Sequence, residues 1–126
     1  MRRIIFTLFT ILSLLLASCQ FMHYNDNESL GNEFYFVKDG NFSSIIKSEK
    51  KEYKGIEGTE VIPPLVTDYN FNDSYIVAKT KDEKQLIKYW IVEKSNYKIE
   101  SPLVPLDSIQ FYKILSEKNI NLIFKK

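Results

Sequence analysis

Four carboxylates, Asp68, Asp73, Glu93 and Glu100, are the side chains of this sequence whose type best suits catalysis. Two carboxylates held a few ångströms apart can serve as acid and base, or as acid and nucleophile, in a hydrolysis. Carboxylates also occupy turns and solvent-facing strand positions in any small domain, and sequence spacing alone does not show that two of them meet. A hydrolase with paired carboxylates is therefore kept as an alternative, and we expect no enzyme.

Histidine and serine catalysis have less support. The only histidine, His23, lies four residues after Cys19, in a segment that would not hold it within hydrogen-bond reach of a partner. The serines of the folded part then have no imidazole for a Ser-His-Asp triad. No Ser-x-x-Lys with its supporting motifs occurs either.

Residues 68–73 begin like a calcium-binding EF-hand loop, with Asp, Asn and Asn at alternate positions. Asp73 stands where the tight turn needs glycine, and Lys79 stands where a bidentate glutamate should complete the ligand shell. The only cysteine, Cys19, can form neither a zinc cluster nor an intramolecular disulfide. We therefore expect no metal and no cofactor.

Aromatic residues are abundant, with eight tyrosines and nine phenylalanines. Tyr35, Tyr69, Tyr75 and Tyr89 lie on expected strands, where they could form a surface for peptide or glycan stacking. Part-buried tyrosines more often pack against the core and leave the hydroxyl in water, and we favour that interpretation. These four residues are nevertheless the candidate binding surface.

The first nineteen residues predict export. Met1-Arg2-Arg3 is followed by residues 4–16, which carry no charge, and then by Ala17, Ser18 and Cys19, which is the order of a secretory signal. Thirteen helical residues at about 1.5 Å each span roughly 20 Å, less than the roughly 30 Å hydrocarbon layer of a bilayer. Cleavage is therefore favoured over retention as a membrane-spanning anchor.

Leu16-Ala17-Ser18-Cys19 resembles the lipobox of bacterial lipoproteins. The resemblance implies that a signal peptidase cuts before Cys19 and that diacylglycerol is joined to its sulfur; an ordinary signal peptide is the alternative. Processing in such proteins adds two or three acyl chains, and two or more hold a protein stably on a membrane. Gln20, rather than aspartate, favours the outer membrane over the inner one by the same analogy.

The expected domain organisation has three parts: residues 1–18 are the signal peptide, 19–31 a lipidated N-terminus with a flexible tether, and 32–126 a single globular domain. All 15 basic residues after Arg3 are lysines, against 16 acids. Without the guanidinium groups that read phosphates and guanine edges, nucleic-acid binding is not expected.

The first part of the domain predicts an antiparallel hairpin over residues 33–47. Asp39-Gly40 separates two short aromatic and β-branched runs, which favours a two-residue type I′ turn. Residues 48–58 are densely charged and show no period, so we expect an exposed loop. Pro63-Pro64 then excludes a central strand.

Three further strands, at Val66–Phe71, 75–80 and 86–93, form an expected antiparallel meander. The last of them is apolar on both faces apart from Lys88, which indicates the middle of the sheet, with Trp90 in the core.

A C-terminal amphipathic helix is expected over residues 108–118. Asp107 and Gln110 fit an N-cap with a capping box, and Asn119 suits a left-handed C-terminal cap. Apolar residues follow at helical spacing: Phe111, Ile114 and Leu115. With a short last strand at 122–124, the fold class is α+β, an antiparallel sheet of five or six strands with one helix on a face.

Four segments of this domain carry a family resemblance: Asp68-Tyr69, Tyr75-Ile76-Val77-Ala78, Tyr89-Trp90-Ile91-Val92-Glu93-Lys94 and Pro102-Leu103. They are similar to a pattern in an uncharacterised family of small bacterial lipoproteins, over residues 34–124. Glu93 stands where the pattern has aspartate, and Ser101 where it has glycine. Because that family has no assigned activity, the resemblance implies the architecture and no functional residue.

The leading hypothesis is a non-enzymatic, lipid-anchored envelope protein whose sheet or loop 48–58 contacts another envelope component. The first alternative is an immunity or inhibitor lipoprotein that blocks a toxin or a lytic enzyme, and the second is the hydrolase above. The expected partners are the membrane, through lipid on Cys19, and an envelope protein or toxin.

Overall fold

The computed structural model describes residues 26–52 and 55–124. Sheet A has four antiparallel strands in chain order: β1 (Asp26–Gly31), β2 (Phe34–Asp39), β3 (Phe42–Glu52) and β4 (Gly55–Ile62). Sheet B has three: β5 (Val66–Phe71), β6 (Tyr75–Lys81) and β7 (Ile87–Glu93). Helix α1 is Ser108–Glu117. The predicted α+β class with a C-terminal helix is confirmed.

The strands divide between two sheets, where the sequence predicted one sheet of five or six strands. The division falls at Pro63-Pro64, which follows the last residue of β4 and lacks the N–H groups that continue a strand ladder. The chain leaves sheet A there and starts sheet B at Val66. The predicted meander of β5, β6 and β7 is confirmed.

The main core lies between the two sheets, which stack face to face. Trp90 belongs to it, as predicted, and its indole N–H donates a hydrogen bond of 2.8 Å to Thr80 Oγ1. The buried apolar residues of this core are Leu30, Phe34, Ile45, Val61, Ile62, Val66, Ile76, Ala78, Trp90 and Val92. Both sheets supply these residues, so each sheet needs the other to bury its apolar face.

Helix α1 covers the other face of sheet B. Phe111 and Leu115 are buried there with Val77 and Ile120. The predicted capping box is present, because Asp107 accepts from the Gln110 backbone N–H at 2.8 Å and the Gln110 side chain accepts from that of Asp107 at 3.1 Å. Asn119 adopts a φ of 54°, as the predicted C-terminal cap requires.

Strand β7 lies at an edge of sheet B, and β6 is the middle strand, so the predicted central position of 86–93 was wrong. Its apolar character on both faces has a different cause. Trp90 and Val92 face sheet A, whereas Tyr89 and Ile91 pack in the cluster beneath α1.

Residues 48–58 are not the predicted loop. β3 continues to Glu52, β4 begins at Gly55, and the two pair across this stretch with one irregularity in register, between Ser48 and Lys50. Backbone pairing in a hairpin needs no alternation of apolar residues, so the charged composition concealed these strands.

The predicted hairpin is confirmed, with a different turn. Asp39 pairs with Phe42, so the two turn residues are Gly40 and Asn41. Gly40 has a φ of 60°, and Asn41 is not among the described residues with positive φ. Glycine at the first central position with positive φ there alone indicates a type II′ turn rather than type I′.

The structure differs from the sequence prediction at both ends of the domain. Asp26–Gly31, assigned to the tether from sequence, is strand β1, with Leu30 fully buried in the core. Residues 122–124 are not a strand. The predicted signal peptide, Cys19 and residues 20–25 lie outside the described part of the chain. Within that part, no helix has the length and apolar character needed to cross a bilayer.

Candidate functional site

The four candidate carboxylates lie in different surroundings. Glu93, at the end of β7, lies 3.7 Å from the ammonium of Lys118 beside α1. Asp73, in the turn between β5 and β6, acts electrostatically on Lys94, which lies toward sheet A. Asp68 is paired in register with Lys79, and Glu100 is exposed in the segment after β7. Among the described residues no group of three metal-binding side chains is found.

The four candidate tyrosines occupy three different surfaces. Tyr69 lies between the sheets, stacked on Phe36 with ring centroids 4.3 Å apart. Tyr75 and Tyr89 pack in the cluster under α1, where the Tyr89 ring lies 4.9 Å from that of Phe111. The structure therefore does not gather these residues into one aromatic surface, since Tyr35 pairs with Ser29 and Ile46 within sheet A.

The hydroxyl of Tyr69 is part of a contact between the sheets. It donates a hydrogen bond of 2.7 Å to Glu28 of β1. Burial raises the pKa of Tyr69, and the hydrogen bond to the Glu28 carboxylate raises it further. This tyrosine is therefore a neutral donor that ties β1 to sheet B.

Lys94 is a buried cation at the ends of the two sheets. Its ammonium donates to the carbonyl oxygens of Leu30 and Asn72, and it lies 5.5 Å from the centre of the Phe71 ring. Burial lowers the pKa of Lys94, and the nearby Asp73 partly opposes that shift. A cation held by two backbone carbonyls joins β1 to the β5–β6 turn, so its role is structural.

A cleft of about 620 Å³ opens beside the end of β7. Its walls are the last residues of β7, the segment 96–106 and the C-terminal half of α1. The lining residues are Ile91, Glu93, Asn96, Tyr97, Lys98, Ser101, Leu103, Val104, Leu106, Ile114 and Lys118. The volume falls within the range of roughly 300–1,000 Å³ that is usual for ligand sites.

Local contacts fix the walls of this cleft. Leu106 and Tyr89 exchange two backbone hydrogen bonds of 2.9 Å, which return the chain to the edge of β7. The Tyr97 ring packs edge-on against Phe34, with centroids 5.6 Å apart, and burial raises the pKa of its hydroxyl. One side of the cleft is therefore held by the core.

Both apolar and charged side chains line the cleft. The aliphatic residues come from β7, α1 and the connecting segment. The charged residues are Glu93, Lys98 and Lys118, two cations against one anion. Because Glu93 already pairs with Lys118, the exposed Lys98 is the cation most open to a partner. This arrangement suits an apolar group that carries a carboxylate or another acceptor.

Sequence reasoning missed this site. Its residues come from three segments that meet only after β7 and α1 have packed, so no pattern within one segment indicates the site. A smaller cavity of about 330 Å³ near the C-terminus is lined by Asp68, Lys79, Phe111, Tyr112, Leu122, Ile123 and Phe124.

The fold and this site define a small α+β domain, with two stacked sheets and an open cleft beside its one described helix. The chain belongs to the family described as "Protein of unknown function (DUF3997)", whose model matches residues 31–126. This confirms the resemblance to an uncharacterised family, and the matched range does not include Cys19. No curated protein and no solved structure matches the chain.

Proposed function

We propose that this protein is a lipid-anchored envelope lipoprotein whose domain binds another envelope component in the cleft, without catalysis. The observation that carries the proposal is the cleft itself: it has a usual ligand-site volume, it is lined by aliphatic side chains and two lysines, and Tyr97 braces one wall. The lipobox at Leu16-Ala17-Ser18-Cys19 supports the anchoring.

The position of the cleft also supports binding. The described chain begins at Asp26, which pairs with Lys38 next to the β2–β3 turn. The cleft lies at the other end of the strands, near Glu93 and the turn at 72–74, since Lys94 N donates to Ser74 O. An anchor that precedes Asp26 leaves this end of the domain free for a partner.

The chemistry of the cleft suggests a protein segment that places an apolar side chain inside and an acidic group against Lys98. An envelope protein of the same cell is the partner we favour. A captured toxin or lytic enzyme would instead assign the protein to the inhibitor alternative, in which rescue on co-expression is expected.

Capture from membranes tests the binding. Val104 and Ile109 are 77% and 80% exposed, and only Val104 lines the cleft. After cross-linking and affinity purification, we expect one reproducible partner with the wild type and with Ile109→Asp, and its loss with Val104→Asp. Equal recovery with both variants, or no partner with the wild type, would contradict binding in the cleft.

The same preparations test the anchor. Labelled palmitate should be incorporated into the wild type and not into Cys19→Ser, and the variant should leave the membrane fraction. A wild type without label, or a membrane-bound Cys19→Ser protein, would contradict the anchoring alone and leave the cleft to be judged by its own variants.

A further inference from the structure

Four large apolar side chains are exposed at the end of the domain opposite the cleft. They are 40–59% exposed, and we name them the apolar end: Phe42, Leu65, Leu86 and Ile87. Single exposed apolar residues are ordinary on protein surfaces, whereas a group of them at one place indicates a contact surface.

Backbone pairing places these residues together. Leu65 and Lys81 exchange hydrogen bonds of 3.3 and 3.0 Å, and Lys81 is paired in register with Ile87. Neighbouring strands lie about 4.8 Å apart, so these three positions form a short row across sheet B, with the exposed Lys81 between the two apolar residues. Leu86 precedes Ile87 and accepts a backbone hydrogen bond from Asp82.

Sheet A contributes Phe42 to the same end. Phe42 follows the Gly40-Asn41 turn, and the next residue, Ser43, donates from its hydroxyl to the Val66 carbonyl at 2.9 Å. That bond brings the β2–β3 turn to the start of sheet B, beside Leu65. The apolar end therefore includes residues of both sheets, and Phe42, which alternates with Ser43 along β3, lies on the face of sheet A that is turned away from sheet B.

The described chain also begins at this end. Asp26 pairs with Lys38, next to the closing pair of the β2–β3 turn. Asp26 lies seven residues after Cys19, and seven extended residues reach at most about 25 Å at 3.3–3.6 Å each. Lipid on Cys19 would thus lie within about 25 Å of Asp26, at the end of the domain that carries the apolar end.

We propose that the apolar end inserts its side chains into the interfacial region of the membrane that holds the lipid on Cys19. The inference rests on the lipid anchoring proposed above and adds an orientation: the apolar end faces the lipid and the cleft faces away. The free energy falls when apolar side chains move from water into the boundary between headgroups and acyl chains.

Charge is not the driving force of this contact. The adjoining turn reads Lys81-Asp82-Glu83-Lys84, with equal numbers of cations and anions. Attraction to anionic headgroups requires an excess of lysine or arginine. Insertion should therefore occur on neutral lipid and persist at high salt.

Depth-dependent quenching of the lipidated, full-length protein in phosphatidylcholine vesicles tests the orientation. Because lipid occupies the Cys19 sulfur, a cysteine introduced by Leu86→Cys or by Val104→Cys is the only thiol open to a fluorescent label. We expect nitroxides at shallow acyl positions to quench the label at position 86 at least threefold more than the label at 104, in low and high salt alike.

Equal quenching at the two positions on vesicle-bound protein would overturn the orientation while the lipid anchor stands. A label at 86 that is shielded from water but not quenched by lipid, increasingly so with protein concentration, would also overturn it and indicate a second copy on this surface. Protein that fails to bind vesicles would refute the anchoring, and the orientation with it.

Discussion

Lys94 shows how one side chain can connect distant parts of the chain. Its ammonium donates to carbonyls 64 and 22 positions away, at Leu30 and Asn72. A Cβ on Gly31 would lie 2.9 Å from the Lys94 nitrogen, and Gly31 has a φ of +86°. The positive φ and the nearby lysine nitrogen therefore favour glycine at the end of β1.

Removing the ammonium should destabilise the fold. Lys94→Met keeps most of the side-chain volume but leaves two carbonyl oxygens without their donor, which should cost about 1–3 kcal/mol of unfolding free energy. Lys98→Met removes an exposed lysine and serves as the control, with a change expected within about 0.5 kcal/mol. Urea unfolding followed by Trp90 fluorescence measures both, and equal effects would contradict the structural role of Lys94.

The same comparison has an expected pH dependence. The pKa of Lys94 is lowered from 10.5 by burial in the folded state, whereas the unfolded chain keeps the ordinary value. Between the two values the unfolded state binds more protons, so the contribution of Lys94 to stability rises with pH. The advantage of the wild type over Lys94→Met should accordingly increase as the pH rises toward 10.5.

Sequence reasoning reached the burial of Trp90 but not the role of Lys94. An apolar run predicts burial of its own aromatic residue, because the signal lies in neighbouring positions. The partners of Lys94 are backbone carbonyls, which every residue has, so no residue type predicts this contact. The cleft was not predicted for a related reason, since its lining residues come together only in the folded chain.

Two hydrogen bonds between nearby residues fix the start of helix α1. Asp107 and Gln110 satisfy each other's backbone N–H groups, and this exchange needs only residues three positions apart. Such short-range signals were sufficient to predict the helix within one residue of its observed end at Glu117.

The N-cap should have a measurable effect on stability. Asp107→Ala removes the acceptor for the Gln110 N–H and should lower the unfolding free energy by about 1 kcal/mol. Asp107→Asn keeps an acceptor oxygen in the same place and should retain most of that stability. Thermal unfolding followed by circular dichroism compares the two; an alanine variant as stable as the asparagine variant would show that the cap is dispensable.

The strands of sheet A were only partly predictable. β2 and the start of β3 have aromatic and β-branched residues, whereas β1 buries a single leucine and the distal β3–β4 hairpin is charged. Edge strands and charged hairpins form their backbone hydrogen bonds without a long apolar face, so hydrophobic periodicity does not predict them. The division into two sheets likewise depends on packing between distant segments.

At the scale of the whole molecule, a core supplied by both sheets should make unfolding a single event. Leu30→Ala, in β1 of sheet A, should cost about 2–5 kcal/mol. Because Leu30 and Trp90 share one core, the midpoint seen by Trp90 fluorescence in sheet B and that seen by circular dichroism should fall together.

The adjacent Ser29→Ala is the control for Leu30→Ala, because Ser29 is exposed on the same strand. It should leave both midpoints unchanged within error. Separate transitions for the two probes in Leu30→Ala would show that the sheets unfold independently.

Strand β7 sets a distance between the two ends of the domain. It has seven residues, and at roughly 3.3 Å each they span about 20 Å from Ile87 of the apolar end to Glu93 of the cleft. In the proposed orientation this rigid spacing, and not the slack of the preceding linker, decides how high above the lipid the cleft stands. The height of the cleft above the lipid would then restrict its partners, because only a component that exposes its binding segment at that height could reach it.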